Sequence, residues 1–202
     1  MQRVNPEGLY AVVQATLGPL SRASFTPPCP AFLQSSPPAT CAGRIVVISP
    51  PIYSRFFRGK TAYAMGKVGM SVLTKGLAMD LERDARSDMA VTSLWPASAI
   101  QSAATQQFTT SSPSELAHLR KPSIFSHAII AILAAPAPSV NGQLLLDEDF
   151  LRQHLGISDL SFYSLVPGSE PRRIMPKVLP DLRVAEQDDE GRRVDSTAIS
   201  KL

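Results

Sequence analysis

The 202-residue chain has only two cysteines, no Lys/Arg run, no Gly-x-Gly and no apolar stretch long enough to span a bilayer. Each lack excludes something. Cys29 and Cys41 sit in one proline-rich stretch, at neither a metal-ligand spacing nor the density of a disulfide scaffold, so free thiols in a reducing compartment are expected. Lysines and arginines are scattered among acids, the net charge is +3, and aromatics make up 6% of residues, so nucleic acid is not an expected partner. The longest apolar stretch, residues 128–135, is stopped by Pro136 and Pro138, and no membrane span is predicted. The N-terminus has no basic segment followed by an apolar one and carries Glu7, so no import signal is expected there. The eleven glycines include neither a dinucleotide fingerprint nor a phosphate loop. No spacing suggests a metal site.

What the sequence does contain is enough apolar residue, 44%, for the core of one ordinary domain. Residues 4–20 place Val4, Leu9, Val12, Val13 and Leu17 at mostly helical spacing and predict a helix ending at Gly18-Pro19. Residues 24–42 carry Pro27, Pro28, Pro30, Pro37 and Pro38 among Ser, Thr and Ala, which predicts a loop or disordered insert. Arg44-Ile-Val-Val-Ile-Ser49 is a β-branched run halted by Pro50-Pro51, the pattern of a strand buried on both faces of a parallel sheet. Residues 61–86 read as the strongest helix, with Tyr63, Val68, Val72, Leu77 and Leu81 as core candidates. A second buried strand is predicted at 90–94, a polar stretch at 101–122, a helix at 123–135 and a third strand at 143–146. Helix and strand thus alternate, the order of an α/β, doubly wound parallel sheet. Beyond Leu155 an irregular, proline-punctuated segment is expected, and from Arg183 onward a solvated tail.

Chemistry concentrates in Thr61-Ala-Tyr63-Ala-Met-Gly-Lys67. Tyr63 and Lys67 are four apart on a helix and project from one face. A tyrosine hydroxyl titrates near pH ~10 in isolation, and a neighbouring ammonium is expected to lower that value by favouring the phenolate. Alone the pair is weak, since such a Tyr is usually core and such a Lys solvated. Its setting is more specific: a β-branched strand ends in Ser49, fourteen residues before Tyr63, and a second strand runs into Trp95-Pro96 after the helix.

That succession resembles the short-chain dehydrogenase/reductase family, and the resemblance covers roughly residues 4–182 outside the proline-rich insert. Ile48-Ser-Pro-Pro51, Leu94-Trp-Pro96, Ala99-Ile100, Leu146-Asp-Glu148 and Phe162-Tyr-Ser-Leu-Val-Pro-Gly168 narrow it to the hydroxysteroid dehydrogenase-like protein 2 branch. The resemblance implies a partial Rossmann-like fold and an NAD- or NADP-dependent oxidoreductase acting on a hydroxyl or carbonyl group of a lipid-like substrate. It makes Tyr63 the acid/base, and Lys67 the residue that tunes it and holds the nicotinamide ribose. Ser49 becomes the carbonyl-polarising hydroxyl, although it stands one residue farther from Tyr63 than is usual and Pro50 occupies the expected place. Val4-Asn5-Pro-Glu-Gly8 looks like the helix start whose Asn5 organises a water near Lys67. Pro96 and Ile100 would lie along the nicotinamide, and Ser102 near its phosphates.

Family members open with a strand and the glycine-rich turn T-G-x-x-x-G-x-G, which brings backbone N–H groups to a pyrophosphate at a helix N-terminus. No such turn occurs in these 202 residues. The resemblance therefore implies residues 1–182 as a domain lacking the cofactor-gripping half, with the insert at 24–42, and a tail at 183–202. Impaired turnover is expected. The alternative is a non-catalytic remnant or fragment that associates with another dehydrogenase subunit, or with its own copy, through the helix at 61–86. The chain ends Ser200-Lys201-Leu202, the tripeptide read by the peroxisomal import receptor, so a peroxisomal address is expected.

Overall fold

The computed structural model describes residues 3–22, 43–53 and 58–180. The proline-rich stretch at 24–42, both cysteines and the tail at 183–202 lie outside the described residues. Helix α1 (Pro6–Arg22) leads to strand β1 (Gly43–Ile48), helix α2 (Thr61–Arg83) and strand β2 (Met89–Trp95). Helices α3 (Ala103–Ser111), α4 (Ser123–Ala134) and α5 (Ala137–Val140) precede strand β3 (Leu144–Leu146) and helix α6 (Asp147–Leu155).

The three strands are parallel in the order β1-β2-β3, with Gly43 opposite Met89 and Ser93 opposite Leu144. Central β2 is buried from Met89 through Leu94 because helices cover both of its faces. Strand alternation sends Met89 and Val91 to one side, where with Val47 they meet Met70, Ala78 and Leu81 of α2 and Leu9, Leu17 and Leu20 of α1. Ala90 and Leu94 point the other way, onto Ile124, Ala128 and Ile132 of α4 and Phe150 and Leu151 of α6. This is the doubly wound α/β arrangement expected from the order of elements. Each fully buried Leu or Val contributes about 1.5–3 kcal/mol.

Three elements depart from the sequence expectation. Helix α1 runs through Gly18-Pro19 to Arg22. Pro19 removes one intrahelical donor, but Leu17 and Leu20 pack into the core on either side of it, and Ser21 Oγ donates to the Gly18 carbonyl at 2.8 Å. The polar stretch after Gln101 folds into α3 and a 3₁₀ turn, Pro113–His118. Neither buries a residue fully, so no apolar period announced them. Val72, a core candidate on α2, is 57% exposed, and Val4 and Val12 also face outward. The inner face of α2 is formed by Ala64, Met70, Thr74 and Ala78 together with the expected Leu81.

Two glycines permit close approach. A Cβ on Gly66 would lie 3.1 Å from Asn5 Nδ2, so the start of α1 presses directly on α2. Gly142, at φ +69°, turns the chain into β3, where an added Cβ would come within 2.9 Å of the Ala78 Cβ.

Candidate active site

The C-terminal ends of β1 and β2 and the first turns of α2 converge on Tyr63 and Lys67. Both residues are half-buried, one helical turn apart. The Lys67 ammonium donates to the Ile48 carbonyl at the end of β1 at 3.0 Å, and it stands 5.7 Å from the centroid of the Trp95 ring at the end of β2. The helix thus hangs its lysine over the seam between two parallel strands, outside their carboxyl ends, where ligands of open α/β sheets bind.

Burial sets the protonation of both groups. It lowers the Lys67 pKa, because the charged ammonium loses hydration, and it raises the Tyr63 pKa, because the phenolate would. The sequence expectation was that Lys67 would lower the Tyr63 value. In this state burial prevails, with the ammonium directed to the Ile48 carbonyl and the Trp95 ring.

Ser49 is fully buried, and its hydroxyl lies 2.9 Å from that of Ser93. Ser93 Oγ in turn donates to the Ser49 carbonyl at 2.5 Å, which leaves Ser49 Oγ as the donor within the pair. The hydroxyl is therefore tied to β2 through Ser93. Register explains the pairing: Val47 faces Ser93 across the ladder, and Ser49 continues the same face of β1. Pro50, which occupies the family's expected serine place, is buried and accepts from Ser71 Oγ at 2.7 Å.

Asn5 immediately precedes α1 and reaches α2. Its side chain lies against Gly66, beside Lys67, and its carbonyl accepts from Leu9 N–H at 2.9 Å at the first turn of the helix. Pro96 and Ile100 are half-buried in the loop that leaves β2, and Ile100 pairs with Arg120 as an isolated bridge. Ser102 is exposed and precedes α3, with its N–H donating to Thr105 Oγ1 at 2.8 Å. Asn5 thus lies against the helical turn that carries Tyr63 and Lys67, Pro96 and Ile100 follow Trp95 in the loop that leaves β2, and Ser102 caps a helix farther along the chain.

Sequence reasoning missed what supports that loop. Asp147 Oδ1 accepts from Ala97 N–H at 2.8 Å and from Glu148 N–H at 2.7 Å. The Ala97 carbonyl accepts from Ile174 and Met175, so the loop is held from two sides. Asp147 is almost fully buried, and desolvation pushes its carboxyl up to about 7 against the two backbone donors. Beside it the buried Arg120 guanidinium donates to Glu148 Oε1 at 3.0 Å, to the Leu160 carbonyl at 2.9 Å and to Ser164 Oγ at 3.1 Å. The signal available was Asp147-Glu148 directly after the apolar β3, a place where ionisable side chains start out buried. Residues around this cluster line a pocket of about 660 Å³, with Arg152, Arg173 and Lys177 opposed by Glu148, Asp149 and Asp159. Neither Tyr63 nor Lys67 lines it. Basic and acidic side chains balance along the pocket lining.

No family model matches the chain. Hydroxysteroid dehydrogenase-like protein 2 of Danio rerio is 36% identical over 126 residues, which is 61% of this chain and 28% of that protein. The protein of the same name from Mus musculus is 29% identical over 191 residues, 94% of this chain and 32% of that one. Among solved structures, one described as a dehydrogenase from Xanthomonas campestris superposes with a TM-score of 0.63 at 29% identity, covering 92% of this chain and 58% of its own. A short chain dehydrogenase from Mycobacterium thermoresistibile superposes with a TM-score of 0.64 at 32% identity, covering 85% and 53%. The chain spans about a third of the length of these curated relatives and somewhat over half that of the solved ones. In sequence and in fold alike, the chain resembles part of the short-chain dehydrogenases/reductases.

Proposed function

We propose that the Tyr63–Lys67 face is the proton-transfer end of an NAD(P)-dependent oxidoreductase acting on a hydroxyl or carbonyl group of a lipid-like substrate. The observation that carries the reading is a tyrosine and a lysine one helical turn apart, with the lysine held at the carboxyl ends of two parallel strands. A nicotinamide dinucleotide bound there would supply or accept the hydride. Tyr63 Oη takes the hydroxyl proton as an alcohol is oxidised and returns it as a carbonyl is reduced. Lys67 presents N–H donors to ribose hydroxyls and favours the phenolate when the site is filled. Trp95 and Tyr53, packed on Ala97, Leu146 and Met175, offer an apolar wall beside Lys67 that suits a lipid-like body.

The residues fit the nicotinamide end of such a cofactor, through Lys67, Pro96 and Ile100. They do not fit its pyrophosphate, because the 202 residues hold no glycine-rich turn. We therefore expect turnover by this chain alone to be close to background. A chimera in which a glycine-rich first half from a solved relative precedes residues 43–180 should oxidise NADH or NADPH with aliphatic carbonyl compounds. Tyr63→Phe should reduce that rate by about 100-fold or more. A chimera equally active with Phe at 63 would remove Tyr63 from the chemistry.

A second reading has its own support: the chain associates with another dehydrogenase subunit or with a second copy. Met65, Val72 and Met79 recur every seventh residue along α2 and are 62%, 57% and 67% exposed. At their upper end Thr61, Ala64, Met65, Val68 and Gly69 line an apolar groove of about 330 Å³. Analytical ultracentrifugation of the wild type and of a Val72→Lys, Met79→Lys double variant tests this. Identical sedimentation would argue against it. Peroxisomal delivery through Ser200-Lys201-Leu202 completes the proposal.

A further inference from the structure

Trp95 is the only tryptophan in the chain, and it stands where neither core packing nor hydride chemistry requires an indole. It ends β2, where Leu146 is its ladder partner, and it is half-buried against Ala97, Leu146 and Met175. A leucine or isoleucine would cover that apolar cluster. What only an aromatic ring supplies here is a negative π face, and the group in front of that face is the Lys67 ammonium, 5.7 Å from the ring centroid. Lys67 lies on four flexible carbons, and a hydrogen bond to the Ile48 carbonyl fixes only one direction of its ammonium. The ring supplies a second restraint, from β2, while the first comes from β1.

We propose that Trp95 is a positioning residue for Lys67, its ring face and the Ile48 carbonyl together holding the ammonium over the ends of β1 and β2. The functional meaning of the inference rests on the Tyr63–Lys67 reading above; the geometry does not. The ring also favours the charged form of the lysine and so opposes the burial that lowers its pKa. An aromatic face in front of a lysine favours its protonated form in a half-buried site without adding a carboxylate that would compete with Tyr63 for the charge.

The test uses the full 202-residue chain without any cofactor, so failure of the oxidoreductase reading cannot be mistaken for failure of this one. Lysine side chains are labelled with ¹³C at the ε carbon, Lys67 is assigned by its loss in Lys67→Met, and its titration is followed by NMR. Trp95→Leu should shift the Lys67 midpoint downward by about half a pH unit, the size of an exposed cation–π contact. Trp95→Phe, which keeps a ring face, should restore most of it. A midpoint unchanged in Trp95→Leu, or shifted equally by Leu and Phe, would overturn the proposal, since packing alone would then account for the residue. Should Trp95→Leu not fold, the emission spectrum decides: because Trp95 is the sole indole, Lys67→Met must change its intensity or wavelength at neutral pH, and identical spectra would overturn the proposal.

Discussion

Asp147 makes stability depend on pH in a direction opposite to that of most carboxylates. Its folded-state value of about 7 lies above the ordinary 3.8, so the native chain binds this proton more tightly than the unfolded chain does. The contribution is fully present below about pH 4 and disappears as the pH rises through about 7. The whole interval corresponds to about 4 kcal/mol at ~1.36 kcal/mol per pH unit. Between pH 5.5 and 8.5, where ordinary carboxylates stay ionised, linkage predicts a loss of about 2 kcal/mol, or a fall of about 4–8 °C in Tm for a chain of this length. Asp147→Asn is the informative substitution. Its carbonyl oxygen can still accept from Ala97 and Glu148, while the charge whose burial is costly is gone. Asp147 Oδ2, buried and without a partner, becomes an amide nitrogen and adds an offset that does not vary with pH. Urea denaturation at the two pH values should show the loss in the wild type and a flat profile in the variant. Parallel pH profiles for the two proteins would refute the reasoning, because the titrating group would then lie elsewhere.

Two further outcomes follow from single features. Gly142→Ala combines a left-handed backbone with a Cβ only 2.9 Å from that of Ala78, a contact that no flexible side-chain end can relieve. It should cost at least about 2 kcal/mol, read as a lowered urea midpoint. A fluorescent protein carrying residues 183–202 at its C-terminus should concentrate in peroxisomes and become diffuse when Leu202 is deleted, since the receptor reads the terminal residues; diffuse fluorescence from the intact fusion would withdraw the localisation.

The sequence made some of this legible because the relevant signals are local. Residues 45–48 are β-branched without interruption, and they form most of β1 because helices bury both faces of the sheet. The four-residue spacing of Tyr63 and Lys67 fixes their shared helix face wherever α2 packs. What escaped needed tertiary information. Pro19 reads as a helix stop, but the contacts of Leu17 and Leu20 carry α1 past it. Val72 has the residue type and spacing of a core position on α2, yet α1 and β2 lie on the other side of that helix. Ser49 is legible as the residue that ends the strand, but its pairing with Ser93 depends on the β1–β2 register. Arg120 and Glu148 are 28 residues apart, and nothing local to either announces that they meet in a buried pair.

The central claim is that these residues form the nicotinamide end of a dinucleotide site without its pyrophosphate-binding turn. Saturation-transfer NMR of the full chain with millimolar NADH tests it most directly, because the method detects weak binding and resolves which end of the ligand touches protein. The account predicts stronger saturation of the nicotinamide and its ribose than of the adenine, with the nicotinamide signal lost in Lys67→Met. Saturation dominated by adenine, or a pattern unchanged when Lys67 is replaced, would contradict it.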